Sequence, residues 1–164
     1  MGYRVLSNVV MTPYLERSVG RLAAELPFDI VVTSGLRTAR AQAQAMFTKI
    51  ELGDDLIAVY ADDSFAEGVI EAYPDIDRAT QFVQGYANRG GGSSHLRGLG
   101  LDIRTRDVSQ SRINEMIEAT ESLGWRPFLE NSPPHLHITL PGDEKKSLPL
   151  FLLAGGALLW IYLN

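Results

Sequence analysis

The chain contains three histidines, and their spacing is suited to holding a metal ion. His135 and His137 flank a single leucine in an apolar run, whereas His95 follows a stretch of glycine and serine. Side chains alternate along a strand, so a strand at this point directs His135 and His137 to the same face. Imidazole nitrogens are common ligands of zinc and of related divalent ions. The histidines therefore indicate a metal site.

A carboxylate completes the candidate ligand set. Asp102 lies between Leu101 and Ile103 in a segment that we predict to be a strand. A buried carboxylate without a partner is costly, and a metal ion supplies that partner. Two imidazoles and one carboxylate leave a fourth tetrahedral position for water, which is typical of a catalytic zinc site. Zinc in such a site lowers the pKa of its water toward ~7 and polarises a carbonyl.

A second interpretation gives the same residues structural roles. His95 would be a surface loop residue, Asp102 would cap a turn, and His135 and His137 would form hydrogen bonds in a core. The placement of every histidine in two short segments favours the metal site.

Composition restricts the class of protein. The 164 residues suit one domain with a short appendage, and 45% of them are hydrophobic. The net charge of −5 argues against nucleic acid as a partner, because phosphate binding requires a basic face. The absence of cysteine excludes disulfides and thiolate zinc sites.

Periodicity and turn residues predict an α+β fold, with a small, mainly antiparallel sheet and helices packed against it. The predicted helices cover 14–26, 38–50 and 109–123. The predicted strands cover 28–33, 99–104, 125–129 and 135–140. Residues 51–90 are expected to form a mixed, mainly helical region rich in acids, and 90–94 a loop that leads to His95.

A longer motif joins these residues. Ser93, His95, Gly98 and Asp102 are followed later by the His135–His137 pair. The chain resembles the zinc D-alanyl-D-alanine carboxypeptidase and endopeptidase family, whose fold is shared with the Hedgehog signalling domain. The family pattern is Ser-x-His-x-x-Gly-x-Ala-x-Asp, then His-x-His. The resemblance covers about residues 28–140 and implies hydrolysis of peptidoglycan stem or cross-link peptides.

The resemblance also implies roles for individual residues. The implied zinc ligands are His95, Asp102 and His137. His135 would sit beside the zinc-bound water or the developing oxyanion. Arg37, in the segment Ser34-Gly35-Leu36-Arg37, matches the family's Ser-Gly-x-Arg and would contact the substrate and stabilise the transition state. Ser93 is a further candidate for substrate binding.

The chain departs from the family pattern at two places, and the second concerns catalysis. Gly100 stands where alanine is usual. The general base is commonly an acid three residues before the last ligand, which here is Pro134, or in another branch a histidine at the position of Ser132. The remaining candidates for proton transfer are His135 and Glu130. The alternative function is a catalytically weak zinc domain that binds peptidoglycan or serves as a virion structural protein.

The C-terminal residues suggest a membrane anchor. Residues 148–163 carry no charge, with Lys145 and Lys146 before them and Trp160 and Tyr162 near the end. We therefore predict a peptidase domain at 1–142, a linker at 143–147 and a transmembrane anchor at 148–164. A core helix or a partner-binding helix is the other interpretation.

The predicted anchor also bears on location. Lys145 and Lys146 predict that the domain stays on the cytoplasmic side of the membrane, whereas peptidoglycan lies on the other side. A bacteriophage with a membrane in its virion would resolve this conflict, with other virion proteins as partners. A bacterial inner membrane is the alternative location.

Overall fold

The computed structural model describes residues 2–131 and 133–142. This part of the chain is α+β and contains a five-stranded mixed sheet and six α-helices. The predicted linker at 143–147 and anchor at 148–164 lie outside the described residues, as does Ser132. Among the helices described, none combines the length and the apolar character needed to cross a bilayer.

The sheet has the strand order β1-β2-β3-β5-β4. Its strands are β1 (Tyr3–Val5), β2 (Ile30–Ser34), β3 (Gly100–Arg104), β4 (Arg126–Asn131) and β5 (Pro134–Thr139). β1 runs parallel to β2, and the other three pairings are antiparallel. The predicted α+β class is therefore confirmed, and β3 and β5 are direct neighbours inside the sheet.

Each helix begins at a polar side chain that accepts a backbone N–H of the first turn. The helices are α1 (Pro13–Glu25), α2 (Ala39–Glu51), α3 (Leu56–Val59), α4 (Asp63–Ala72), α5 (Ile76–Asn88) and α6 (Gln110–Ser122). Their N-caps are Thr12, Thr38, Asp55, Asp62, Asp75 and Ser109. Such caps stabilise a helix by about 1 kcal/mol each.

One face of the sheet packs against α1 and α6. Leu101 and Ile103 of β3 and Leu136 and Ile138 of β5 are fully buried there, in one cluster with residues of both helices. Because side chains alternate along a strand, the residues between them project from the opposite face. That opposite face carries Asp102 and His137.

A second core lies within the helical lobe, which we define as α2–α5. Its buried residues include Met46, Phe47, Phe65 and Val69. Leu96, which follows His95 in the chain, packs against this core. The helical lobe and the site face of the sheet are thus joined near His95.

The structure differs from the sequence-based expectations at three points. The strand predicted at 28–33 begins at Ile30, because the Phe28 ring lies under the guanidinium of Arg112 at 5.0 Å and Asp29 accepts a hydrogen bond from the N–H of Gly2 at 2.6 Å. β1 was not predicted. His95 lies in a one-turn 3-10 helix at Ser94–Arg97, rather than in an open loop.

Candidate metal centre

Strand register brings the first two candidate ligands together. In the β3–β5 pairing, Asp102 lies opposite His137, and Arg104 lies opposite His135. The neighbouring leucines and isoleucines enter the core, so both ligand side chains face away from it. His135 and His137 share this face, as predicted, since a nitrogen of each lies within 3.6 Å of Asp102 Oδ1.

The 3-10 turn places His95 above β3. Ser93 caps this turn, and its hydroxyl accepts the N–H of His95 at 3.3 Å. Gly98 ends the turn with a φ of +67°, a conformation that side chains other than glycine rarely adopt. Ser93 and Gly98 of the motif therefore fix the backbone that carries His95. The proposed contact of Ser93 with substrate stays a prediction.

Three ligand atoms converge in this cluster: His95 Nε2, Asp102 Oδ1 and His137 Nδ1. They are separated by 3.1 Å (His95 to Asp102), 3.2 Å (His95 to His137) and 2.8 Å (His137 to Asp102). In a tetrahedral zinc site with ligand distances of ~2.0–2.1 Å, neighbouring ligand atoms are about 3.3 Å apart. His95 and Asp102 are buried, and His137 is half-buried. The cluster could hold a metal ion.

Both imidazoles are oriented through their outer nitrogens. His95 Nδ1 lies 2.7 Å from the carbonyl oxygen of Gly35, to which it donates. His137 Nε2 lies 3.1 Å from the Ser94 hydroxyl and 3.2 Å from that of Thr139. The Gly35 carbonyl can only accept, so the proton of neutral His95 lies on Nδ1 and Nε2 keeps a lone pair. The Ser94 and Thr139 hydroxyls can accept from Nε2 of His137 in the tautomer that leaves Nδ1 free to bind a metal.

The outer oxygen of Asp102 is also bound. Arg37 Nη2 donates to Asp102 Oδ2 at 2.6 Å, while Arg37 Nε donates to Ser34 Oγ at 2.8 Å and Nη1 to Gln42 Oε1 at 3.3 Å. Burial alone would raise the pKa of Asp102, but His95, His137 and Arg37 hold that pKa well below its usual value. The carboxylate is thus kept ionised, which is the ligand form.

His95 is held in the complementary state. Burial lowers the pKa of His95, and the charge of Asp102 only partly opposes that effect. A neutral imidazole is the form that binds metal. The ionised carboxylate of Asp102 and the neutral imidazole of His95 therefore both favour metal binding.

His135 and Glu130 lie beside the cluster without belonging to it. His135 Nδ1 donates to the carbonyl of Pro133 at 2.7 Å, and Nε2 lies 3.6 Å from both Asp102 Oδ1 and Glu130 Oε1. Burial acts to lower the pKa of His135, but Glu130 and Asp102 outweigh it and raise that pKa.

Glu130 is itself held by a cation from the helical lobe. Its carboxylate forms an ion pair with Lys49 of α2. Burial acts to raise the pKa of Glu130, yet the hydrogen bonds and charges of His135 and Lys49 lower it to about 2. The Lys49–Glu130 pair thus joins the helical lobe to the sheet at the edge of the site.

The cluster opens into a cleft of about 800 Å³ between the site face of the sheet and the helical lobe. The structure brings all seven predicted site residues to this cleft: Arg37, Ser93, His95, Asp102, Glu130, His135 and His137. A substrate in the cleft would therefore meet both the candidate ligands and the candidate proton carriers.

Comparison with protein-family models, with curated proteins and with solved structures finds no match for this chain.

Gly100 has a steric reason to lack a side chain. A Cβ at this position would lie 2.7 Å from Ser94 Oγ, 2.8 Å from the backbone nitrogen of His95 and 2.9 Å from its Cγ. The turn that carries His95 thus packs directly on the backbone of β3. The glycine that departs from the family pattern is required by this close approach.

Several contacts around the candidate site were not predicted. Ser94 and Thr139 contact His137, and Lys49 binds Glu130. Tyr60, which lines the cleft, accepts a hydrogen bond from the buried Gln42 at 3.0 Å. Strand alternation could have placed Thr139 on the face of His137. No local signal relates Lys49 to Glu130, which is 81 positions away. Burial raises the pKa of Tyr60 to about 12, so its phenol keeps its proton.

Proposed function

We propose that this protein is a zinc-dependent peptidase that hydrolyses peptidoglycan stem or cross-link peptides, with a fold of the D-alanyl-D-alanine peptidase and Hedgehog type. The observation that carries the proposal is the convergence of His95 Nε2, Asp102 Oδ1 and His137 Nδ1 beside an open cleft. A closed structural zinc site uses four protein ligands, whereas three ligands leave a position for chemistry.

The donor set supports zinc as the ion. Two imidazoles with one carboxylate suit zinc, while magnesium and calcium prefer oxygen ligands alone. The outer atoms of all three ligands have protein partners, which is usual for metal sites and raises metal affinity. When bound, zinc supplies a Lewis acid that polarises the scissile carbonyl and lowers the pKa of a water.

His135 is the proposed proton carrier. Its Nε2 lies 3.6 Å from Asp102 Oδ1, so it faces the reacting centre, and the Pro133 carbonyl fixes its ring by accepting from Nδ1. A raised pKa suits an imidazole that takes a proton and returns it to the leaving amine near neutral pH.

Glu130 supplies the carboxylate that Pro134 cannot. It pairs with His135 across β4 and β5, and its Oε1 lies 3.6 Å from His135 Nε2. In the proposed mechanism Glu130 orients His135 and stabilises its protonated form. Arg37 orients Asp102 from behind and, in the role that the resemblance implies, stabilises the oxyanion.

A second candidate function is a zinc domain of low activity that binds peptidoglycan or serves in a virion. The pairing of Glu130 with Lys49 favours it, because a carboxylate held this way is a weak base. In either case we propose that residues 148–164 anchor the protein in a virion membrane or a bacterial inner membrane. Their uncharged sequence supports this.

The test is to purify the full chain in detergent and to measure zinc content and muropeptide release together. We expect about one zinc per chain and release of peptides, both lost in His137→Ala and both kept in Arg17→Ala, an exposed position on α1. Stoichiometric zinc without release from any wall type would support the binding or structural role. Absence of zinc from the parent protein would refute both functions.

A further inference from the structure

Two exposed arginines lie at opposite corners of the sheet face that carries the metal ligands. Arg104 follows Asp102 by two positions on β3, so strand alternation places it on the same face. Arg126 of β4 pairs with Thr139 of β5, whose hydroxyl lies beside His137. Both arginines are exposed and line the cleft.

The separation of these corners fits a short peptide. Arg104 of β3 pairs with His135 of β5, and Arg126 of β4 pairs with Thr139 of β5. His135 and Thr139 are four positions apart on β5, and the two arginines lie on opposite sides of this strand. Strand rise and strand spacing put their Cα atoms about 16 Å apart. An extended chain of about five residues covers that distance. A peptide centred on the metal ligands would therefore reach an arginine at each end.

The charge of the cleft differs in sign from that of the chain. Six basic and three acidic side chains line it, although the chain carries a net charge of −5. The acids are already engaged. Asp102 is paired with Arg37, Glu130 is paired with Lys49, and Asp62 caps α4.

Besides Arg37 and Lys49, the basic residues of the cleft are Arg97, Arg104, Arg106 and Arg126. Arg104 contacts Asp107 at 3.1 Å, but both side chains are largely exposed, and such surface pairs are weak. A cleft lined by excess positive charge concentrates anionic ligands. The guanidinium fork matches a carboxylate in particular.

An apolar contact lies between the two corners. Phe128 pairs with His137 across β4 and β5, lines the cleft and is 52% exposed. An exposed aromatic ring beside the ligands can bury an aliphatic side chain of a bound peptide.

We infer that the cleft selects an acidic peptide with a carboxylate on each side of the scissile bond, and that Arg104 and Arg126 determine this specificity. The inference rests on the proposed peptidase function and names the class of its substrate. Arg104 binds the carboxylate at one end and Arg126 the carboxylate at the other, while Phe128 contacts an apolar residue between them.

The test uses two fluorescein-labelled alanine hexapeptides whose central amide is N-methylated to resist cleavage. One carries glutamate at its first and sixth residues, which lie about 16 Å apart in an extended chain, and the other carries glutamine there. Binding to the full chain in neutral detergent is measured by fluorescence anisotropy. The double variant Arg104→Gln/Arg126→Gln is compared with Arg17→Gln/Arg78→Gln, which removes the same charge from exposed helix positions outside the cleft.

We expect the parent and the control variant to bind the glutamate peptide about tenfold more tightly than the glutamine peptide, and the double cleft variant to lose this preference. Equal affinities of the parent for both peptides, or a preference that persists without Arg104 and Arg126, would overturn the inference. The binding measurement does not depend on hydrolysis. Arginine-dependent preference in a protein that releases no muropeptides supports the inference and counts against the peptidase proposal alone.

Discussion

The guanidinium of Arg37 holds the outer oxygen of Asp102 at 2.6 Å and leaves the other carboxylate oxygen directed at His95 and His137. A residue that the motif assigns to substrate binding thus contacts a candidate ligand from behind. Two further hydrogen bonds, to Ser34 and Gln42, fix the guanidinium in this position. Arg37 is therefore placed to tune metal affinity.

Replacing Arg37 tests this relationship. We expect Arg37→Gln to weaken zinc binding by about 10- to 100-fold, because Asp102 loses the charge that keeps it ionised and oriented. Zinc affinity is measured by competition with a chromogenic chelator, and Arg17→Gln serves as the control. If zinc affinity is unchanged while hydrolysis is lost, Arg37 acts on the substrate instead.

A methyl group at position 100 tests the packing of the His95 turn. We expect Gly100→Ala to destabilise the protein by about 1–3 kcal/mol, since the new Cβ meets backbone that cannot move freely. Chemical denaturation measures the change. Gly20→Ala is the matched control, because a Cβ there lies 4.0 Å from its nearest neighbour and alanine favours a helix. Equal stability of the two variants would contradict the close packing.

The role of His135 can be separated from that of the ligands. We expect His135→Gln to keep one zinc per chain with an affinity within about threefold of the parent, and to lower kcat by about 10²- to 10⁴-fold, as for loss of a proton carrier. His137→Ala should lose zinc itself. Loss of zinc in His135→Gln would instead make His135 a ligand, and unchanged kcat would exclude it from proton transfer.

Glu130 makes the stability of the protein depend on acid pH. Its pKa is about 2 in the folded protein, against an ordinary value of 4.5, so the unfolded chain binds more protons between these values. The stabilisation is complete above pH 4.5 and is lost as the pH falls toward 2. Between pH 4.5 and pH 2, the free energy of unfolding of the parent should fall by about 2 kcal/mol more than that of Glu130→Gln.

The matched control for that measurement is Glu118→Gln, at an exposed position on α6. Denaturation curves at several pH values give the free energy of unfolding for all three proteins. The same pH dependence in Glu130→Gln and in the parent would show that the Lys49–Glu130 pair does not stabilise the fold.

Much of the fold could be predicted where the signal is local. α6 was expected at 109–123 and spans Gln110–Ser122, because Ile113 and Met116 repeat at helical spacing and Gly124 follows the end. β1 could not be predicted in the same way. Its three residues show no clear alternation of apolar and polar side chains. The strand forms because it pairs with β2, in which each partner residue lies 27 positions later in the chain.

The candidate site also has one part that the sequence predicts and another part that it does not. Residue type and strand alternation pointed to Asp102 and the histidines, and the family resemblance chose His137 over His135. The structure brings His95, Asp102 and His137 together. The partners that orient them were not predicted. Gly35 accepts from His95 through its backbone carbonyl, a group that every residue has, so residue type gives no signal. Lys49 contacts Glu130 from the helical lobe, which has a separate core. Such contacts are set by the tertiary path and leave no mark in local spacing.

The position of β5 between β3 and β4 has a consequence for folding. His95 and Asp102 are seven positions apart, whereas His137 joins them only when the β4–β5 hairpin docks against β3. Zinc that binds all three atoms therefore favours the docked hairpin over the free one. Amide hydrogens of β5 should exchange more slowly with zinc present, and those of α1 should change less. A bound ion would thus stabilise the pairing of the β4–β5 hairpin with the rest of the sheet.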